Sequence, residues 1–236
     1  MSAEHNVDAA EIEKFQSIAS RWWDPESEFK PLHDINPLRL HYIEQQVGGV
    51  AGKRILDIGC GGGILAEALA EGGARVSAID MAEQSLQVAK MHLHESNLDV
   101  DYQLATAEDY ADQHAAEFDV VTCLEMLEHV PRPQSVVEAA ARLVKPDGWI
   151  IFSTINRNAK SFALAILGAE YILGLIPRGT HDYKKLIKPS ELASAARNNG
   201  LMVSDITGMT YNPISKQYRL GSDIDINYLM ACRRDD

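Results

Sequence analysis

Length, composition and charge exclude several classes of protein. The chain has 236 residues, 46% hydrophobic and 24% charged, which suffices for a large core without a disulfide or metal staple. The formal net charge of −12 argues against nucleic-acid binding. The three cysteines form no C-x-x-C pair, no apolar run reaches the ~20 residues of a spanning helix, and the first residues show no signal-peptide pattern, so we expect a cytoplasmic protein.

Two helices are predicted at the start of the chain. The segment Asp8–Trp22 places apolar side chains at intervals of three and four residues, and Asp8 and Glu11 are spaced as in a capping box. Asn36 and Pro37 predict the start of a second helix. Three aromatic residues in or just after the first helix are expected to pack on the main domain, with lining of a substrate pocket as the alternative: Phe15, Trp22 and Trp23.

From Lys53 onward, short apolar runs alternate with helical segments. This order predicts a parallel sheet with right-handed crossovers. The predicted strands are 54–58, 75–79, 101–105, 118–124 and 149–154, and the predicted helices are 63–71, 82–95 and 133–144. Beyond residue 200 the alternation ends, and strands are predicted at 201–207, 218–220 and 226–232, the last two antiparallel at an edge.

The most informative stretch is a glycine-rich turn between the first strand and its helix. Gly59 and Gly61 let the backbone turn sharply and approach a ligand, and Asp80 ends the next strand, where a carboxylate can accept hydrogen bonds from ribose hydroxyls. A dinucleotide loop, G-x-G-x-x-G, would need glycine at Ile64. NAD binding and a purely structural turn remain as alternatives.

The pattern present, D-x-G-x-G-x-G at 57–63, resembles that of S-adenosylmethionine (SAM)-dependent methyltransferases. The runs RWWD at 21–24, NPLR at 36–39, TCLEMLEHV at 122–130, STINR at 153–157 and GTHD at 179–182 resemble the ubiquinone-biosynthesis O-methyltransferase family almost end to end. The resemblance implies an α/β fold, the class I SAM-methyltransferase Rossmann-like fold. It also implies a seven-stranded, mostly parallel sheet with one antiparallel edge strand, N-terminal helices and a helical insertion.

The resemblance also implies one methyltransferase domain over 1–236. Its parts are an N-terminal helical cap (1–50), a SAM-binding core (51–155), a helical insertion or lid (156–188) and a C-terminal helix with edge strands (189–236). Among the cofactor-binding residues it implies Arg39 for the SAM carboxylate, Met81 against the adenine and Leu124 beside the methionine portion. Gly59, Gly61 and Asp80 complete that set.

Two carboxylates and an imidazole follow the fourth strand, at the end of the sheet where ligands bind in open α/β folds. Methyl transfer to a phenol requires alignment of the reactants and formation of the phenolate. His129 and Glu128 are the candidate catalytic bases. Glu125, Glu128 and His129 are alternatively the ligands of a Mg²⁺ ion, which a catechol could also bind.

The insertion carries an apolar stretch at 161–176 between basic flanks, with six Lys or Arg against two acids over 157–188. This pattern predicts peripheral contact with an anionic membrane at the inner membrane surface, with a simple cover for the active site as the alternative. The resemblance implies a polyprenyl catechol (2-polyprenyl-6-hydroxyphenol type) and demethylubiquinol as substrates, and membership of a ubiquinone-biosynthesis complex. A methyltransferase of a small soluble phenol and a non-catalytic SAM-binding subunit remain alternatives.

Overall fold

A computed structural model describes residues 6–161 and 183–235. Within these ranges, eight strands form one sheet in the order β3-β2-β1-β4-β5-β8-β6-β7. The strands are β1 Arg54–Ile58, β2 Arg75–Asp80, β3 Val100–Leu104, β4 Phe118–Leu124, β5 Val144–Ile155, β6 Leu201–Asn212, β7 Gln217–Gly221 and β8 Asn227–Arg234. The helices are α1 Ala9–Ile18, α2 Lys30–Val47, α3 Ile64–Glu71, α4 Glu83–Ser96, α5 Ala107–Gln113, α6 Pro133–Leu143, α7 Ala159–Ser161 and α8 Pro189–Asn198.

The sheet confirms the predicted α/β class and corrects the predicted number of strands. Strands β1 to β5 pair in parallel, as expected from the alternation. The prediction of seven strands with one antiparallel edge strand was wrong in detail. Strand β8 is antiparallel but lies between β5 and β6 rather than at an edge, whereas β7, predicted at 218–220, does form the edge. Sequence periodicity cannot reveal this order, because it depends on pairing between strands distant in the chain.

The core occupies both faces of the sheet. Alternate residues of one strand serve opposite faces: Ile55 packs with side chains of α2, α3 and α4, whereas Leu56 and Ile58 pack with those of α5, α6 and α8. Strand β4 is buried along nearly its whole length, which explains its largely apolar sequence. A sheet covered on both faces leaves the carboxyl ends of its parallel strands as the natural ligand site.

The N-terminal helices differ from their predicted bounds. Helix α1 ends at Ile18 and continues as a short 3₁₀ turn, Ala19–Arg21. Helix α2 begins at Lys30 rather than at Asn36, and Pro37 lies inside it. Burial of Tyr42 and other core side chains of α2 offsets the cost of that proline, while the side-chain amide of Asn36 donates to the carbonyl of Ile64.

One helix was not predicted from the sequence. Helix α5 begins at a cap in which the side chain of Thr106 accepts from the backbone N–H of Asp109.

No helix in the described part of the chain is long and apolar enough to cross a membrane. The predicted apolar stretch at 161–176 lies almost entirely outside the described residues.

Candidate active site

A cavity lies at the carboxyl ends of β1, β2 and β4, roofed by the N-terminal segment 6–32. It brings together every residue that the sequence analysis selected as a site residue: Arg39, Gly59, Gly61, Asp80, Met81, Leu124, Glu125, Glu128 and His129. Phe15 and Trp22 also line it, whereas Trp23 does not. Both interpretations of Phe15 and Trp22 therefore hold, because they line the cavity and also pack in a hydrophobic cluster that includes Ile64 of α3.

The glycine turn forms the floor of the cavity and has no room for side chains. Gly59 and Gly61 adopt φ angles of +73° and +53°. A Cβ on Gly59 would come within 2.5 Å of the Met126 side chain, and one on Gly61 within 2.5 Å of the Trp22 ring. The turn is thus tightly packed between Met126, which follows β4, and Trp22 of the N-terminal segment.

Asp80 ties the end of β2 to this turn. Its Oδ2 accepts the backbone N–H of Gly61 at 2.8 Å, and its Oδ1 accepts that of Ala82 at 2.7 Å. Burial raises the pKa of Asp80, and these backbone N–H groups oppose the rise. Each oxygen keeps a second lone pair for a hydroxyl of a ligand.

Asp57, the acid that leads the glycine pattern, is buried beneath the same cavity. Its Oδ1 accepts the Thr122 hydroxyl at 2.7 Å. Burial raises the pKa of Asp57 to about 7, and the Thr122 hydrogen bond and the charge of Arg39 act against that rise. A cationic ligand in the cavity would favour the ionised form of Asp57, because opposite charges attract more strongly where water is excluded.

Arg39 is a buried cation whose hydrogen-bonding capacity is not used up. Its side chain is 6% exposed, and Nη2 lies 3.4 Å from Glu125 Oε1 as an ion pair. Neither Nε nor Nη2 hydrogen-bonds to any group in the described ranges. Buried guanidinium N–H groups without partners are costly, and they suit a carboxylate ligand that can bind in bidentate fashion.

Glu125 is held by several protein groups at once. It adopts φ +52°, and its carboxylate accepts the Ser153 hydroxyl at 2.6 Å and the Asn227 amide at 3.0 and 3.1 Å. Together with the Arg39 ion pair, these contacts turn the Glu125 carboxylate towards β5, β8 and α2.

Glu128 is more deeply buried, with 3% of its surface exposed. Its Oε2 accepts the Thr154 hydroxyl at 2.8 Å, and its Oε1 has no hydrogen-bond partner among the described residues. Burial, reinforced by the nearby Glu125 carboxylate, raises the pKa of Glu128 to about 7. A carboxylate with an open oxygen and such a pKa can accept a proton at neutral pH.

His129 is oriented by the N-terminal helix, a contact that the sequence analysis missed. Its Nδ1 lies 3.0 Å from Glu11 Oε2, and Phe15 packs edge-on to its ring at 5.1 Å. The other oxygen of Glu11 lies 3.2 Å from Lys185 Nζ. The hydrogen bond from His129 lowers the pKa of Glu11 to about 2, so Glu11 stays ionised.

The Asp8–Glu11 spacing was interpreted as a capping box, and it gave no indication of the contact with His129. Asp8 does cap α1, accepting from the N–H groups of Ala10 and Glu11. The Glu11 side chain, however, pairs with His129 and Lys185. The partners lie 118 and 174 residues away in the chain, beyond the reach of local patterns.

The predicted metal ligands share the cavity but do not form a metal site. In the described ranges, no three His, Cys, Asp or Glu side chains are arranged to hold a metal ion. The physical reason lies in the partners of two of the predicted ligands. The Glu125 carboxylate is engaged by Arg39, Ser153 and Asn227, and the Nδ1 of His129 by Glu11.

Basic residues in the described part of 157–188 pair with acids of the protein. Arg157 hydrogen-bonds to Glu191, and Lys160 pairs with Asp223 and Asp225. Lys185 lies 2.9 Å from Asp8 Oδ2 in addition to its contact with Glu11. Part of the local positive charge therefore stabilises the fold around the active site.

Comparison with known proteins agrees with this geometry. Residues 56–152 match the family described as "Methyltransferase domain". The chain is similar to magnesium protoporphyrin IX methyltransferase from Synechocystis, solved with bound S-adenosylhomocysteine (SAH), at TM-score 0.65 and 20% identity, over 96% of this chain and 95% of that one. It is also similar to a SAM-dependent methyltransferase from Thermotoga maritima at TM-score 0.65 and 15% identity, over 96% and 99% of the two chains. At these identities the likeness shows the fold.

Closer relatives identify the family. The chain is 66% identical to the ubiquinone biosynthesis O-methyltransferase of Thiobacillus denitrificans, over 98% of this chain and 99% of the relative. It is 60% identical to the protein of the same name from Stutzerimonas stutzeri, over 95% and 97%. The chain therefore belongs to the ubiquinone biosynthesis O-methyltransferase family and is a SAM-dependent methyltransferase.

Proposed function

We propose that this enzyme transfers a methyl group from SAM to a phenolic oxygen of a polyprenyl catechol and of demethylubiquinol, with Glu128 as general base. The observation that carries the proposal is the pairing, in one cavity, of a buried arginine with open N–H groups and a buried glutamate with an open oxygen. The first suits the carboxylate of the donor, and the second suits the proton of a phenol.

We assign the donor-binding roles as follows. The Nε and Nη2 of Arg39 bind the SAM carboxylate, and Asp80 accepts the ribose hydroxyls. Met81 lies against the adenine, Gly59 and Gly61 allow close approach of the backbone, and Leu124 borders the methionine portion. Bound SAM supplies a methyl group on a cationic sulfonium, and the carboxylate of Asp57 favours that positive charge.

The acceptor must lose a proton as the new bond to carbon forms. An unperturbed phenol has a pKa near ~10, so a positioned base assists the reaction at neutral pH. Glu128 Oε1 receives the proton, while the Thr154 hydroxyl holds Oε2. His129, with Nδ1 directed to Glu11, orients the phenol. The cavity aligns oxygen, methyl carbon and sulfur, which is the main requirement of an in-line displacement.

A transfer assay tests this assignment. SAM labelled in the methyl group is incubated with a prenylated catechol, with the same catechol without its prenyl chain, and with a catechol whose two hydroxyls are already methylated. We expect label on oxygen in the prenylated catechol, a higher kcat/KM than without the chain, and no label in the blocked compound. Equal kcat/KM with and without the chain would indicate a soluble phenol, and no transfer to either would indicate a non-catalytic SAM-binding subunit.

We further infer that the chain folds as one methyltransferase domain with the four parts predicted from the sequence, and that residues 157–188 contact anionic membrane near the site. The support is the local excess of basic over acidic residues and the lipophilic substrate. Arg157, Lys160 and Lys185 are unsuitable for a test, because they pair with acids of the protein.

A vesicle flotation assay with Lys184→Glu/Lys188→Glu tests the membrane contact, and Lys90→Glu/Lys216→Glu, at exposed sites elsewhere, is the matched control. We expect wild type and control to float with anionic vesicles at low salt and the first variant to float less. Equal flotation of all three proteins, or none with anionic vesicles, would remove the membrane contact. Membership of a ubiquinone-biosynthesis complex remains part of the proposal and predicts co-purification with other enzymes of that synthesis.

A further inference from the structure

The glycine turn is held from outside the cavity by a side chain that does not line it. Trp23 Nε1 donates to the carbonyl oxygen of Gly62 at 2.9 Å. Neither residue borders the cavity, whereas the preceding residue, Gly61, does. Trp23 therefore holds the turn at a peptide group that does not itself border the cavity.

A histidine and a buried glutamate fix the position of the Trp23 ring. His92, on α4, stacks on Trp23 with ring centroids 3.4 Å apart and an interplanar angle of 1°. His92 Nδ1 lies 2.9 Å from both carboxylate oxygens of Glu67, a residue of α3 that is 4% exposed. The backbone N–H of Glu67 donates to the carbonyl of Gly63 at 2.9 Å. Glu67 therefore contacts both His92 and the glycine turn.

The neighbouring tryptophan covers the turn from the cavity side. A Cβ on Gly62 would come within 2.4 Å of the Trp22 side chain. Trp22 Nε1 donates to the Ser85 hydroxyl at 3.1 Å, and its ring stacks on Phe29 at 3.8 Å. Two adjacent indoles thus constrain the same glycines from two directions.

These contacts reduce the entropy that the glycine turn would lose when a ligand binds. Consecutive glycines at 61–63 give the unbound turn more conformational freedom than any other residue type would. A ligand that requires one backbone conformation must offset the entropy of ordering it, and prior ordering strengthens binding. A hydrogen bond to the Gly62 carbonyl selects one orientation of that peptide group before the donor arrives.

We propose that Trp23, His92 and Glu67, which we call the tryptophan clamp, are positioning residues for the methyl donor. They hold the glycine turn in its binding conformation without touching SAM. The proposal rests on the proposed donor-binding role of the turn. It predicts that loss of the clamp weakens binding of SAM and SAH and leaves methyl transfer from saturating SAM unchanged.

The first test replaces Trp23 by Phe, which keeps an aromatic ring on His92 and removes the N–H donor. Trp149→Phe, the same change at a half-buried site on β5, is the control. We expect the Kd for SAH by calorimetry, and the KM for SAM, to rise about three- to tenfold, the range expected for loss of one hydrogen bond. The KM for the catechol, kcat and the thermal midpoint should stay close to those of Trp149→Phe.

The second test asks whether His92 acts through Trp23. His92→Phe keeps the stack, His92→Ala removes it, and the control His114→Ala removes a histidine that stacks on Tyr110 and pairs with Glu117 in the same manner. The chain has three tryptophans, so three indole N–H signals can be assigned in an NMR spectrum. We expect His92→Ala alone to shift the Trp23 signal and weaken SAH binding, and His92→Phe to restore most of both.

The outcomes separate this proposal from the proposed function. Unchanged SAH affinity in Trp23→Phe would overturn the clamp while leaving the donor site intact. Equal increases in the KM of both substrates with a lowered thermal midpoint would also overturn it, because they indicate a general structural role. Failure of the wild-type protein to bind SAH would instead overturn the donor site itself, and the clamp with it.

Discussion

The surroundings of Glu128 are the reason for its proposed role as general base. The sequence indicated an acid after the fourth strand, but only the structure shows the carboxylate buried, bonded to Thr154 through one oxygen and open at the other. Its pKa of about 7 results from burial and from Glu125, which lies three residues earlier in the chain. An acid at the surface would have been ionised throughout the neutral range and would have been a weaker base.

Replacement of Glu128 by Gln should therefore remove the base and keep the size and shape of the side chain. We expect kcat to fall about 100-fold, within the range for loss of a general base. In the wild type, kcat should rise as the pH passes through about 7, because Glu128 accepts a proton only when ionised. A pH series from 5.5 to 8.5 measures both effects, with Glu117→Gln at a distant site as the control. A variant that keeps the wild-type rate would contradict the assignment.

Asp57 links the donor site to stability. In the folded protein it keeps its proton up to about pH 7, whereas an unfolded Asp loses it near ~4. The folded state thus binds more protons between these values, so its contribution to the free energy of unfolding falls as the pH rises from about 4 to about 7.

Asp57→Asn should remove this fall, because an amide stays neutral and can still accept from Thr122. Without ligand, we expect the variant to melt above wild type at pH 8, at about 2–4 °C per kcal/mol for a chain of this size, and the difference to be much smaller at pH 4.5. Scanning calorimetry at both pH values, with Asp99→Asn at an exposed site as the control, measures the effect. The same difference at both pH values would contradict it.

At the scale of elements, the sequence predicted the features that depend on residues close together in the chain. Strand β4 was predicted at its observed bounds, since a run of buried side chains marks both ends. Helix α2 was placed six residues late because Asn36-Pro37 is a typical helix start, yet core packing extends the helix back to Lys30. The insertion of β8 beside β5 and the contact of α1 with the active site depend on distant partners and left no local signal.

Helix α1 is held over the cavity mainly by polar contacts. None of its residues is fully buried. The carboxylates of Asp8 and Glu11 pair with Lys185, and Glu11 also contacts His129. An element with few buried side chains opens at low cost in free energy. The α1 helix is therefore the part of the roof that we expect to move when donor and product exchange.

Lys185→Gln should loosen this helix without destabilising the whole protein. We expect amide hydrogen exchange over residues 9–18 to accelerate several-fold, with the thermal midpoint within about 2 °C of wild type, because a partly exposed ion pair contributes at most about 1 kcal/mol. Mass spectrometry of exchange measures this, with Lys160→Gln, which loses its pairs with Asp223 and Asp225, as the control. Unchanged exchange in α1 would show that other contacts hold the roof.

At the scale of the molecule, the two chemical tasks share one cavity but use different parts of the fold. In the proposed mechanism, the donor side of this cavity combines the glycine turn, Asp80 and Arg39, and the acceptor side combines Glu128 and His129. The sequence identified these residues through spacing and family resemblance. It could not reveal that Glu125 supports Arg39, because the contacts between Glu125, Ser153 and Asn227 form only when β4, β5 and β8 pair.

The most direct test of the central claim is calorimetry of Arg39→Met with two ligands, SAH and methylthioadenosine, which lacks the amino-acid end. If Arg39 binds the donor's carboxylate, the variant should bind SAH at least about tenfold more weakly, as expected for loss of a charged hydrogen bond, and methylthioadenosine as wild type does. Asp80→Asn should weaken both ligands. Equal affinity of wild type and Arg39→Met for SAH would contradict the account.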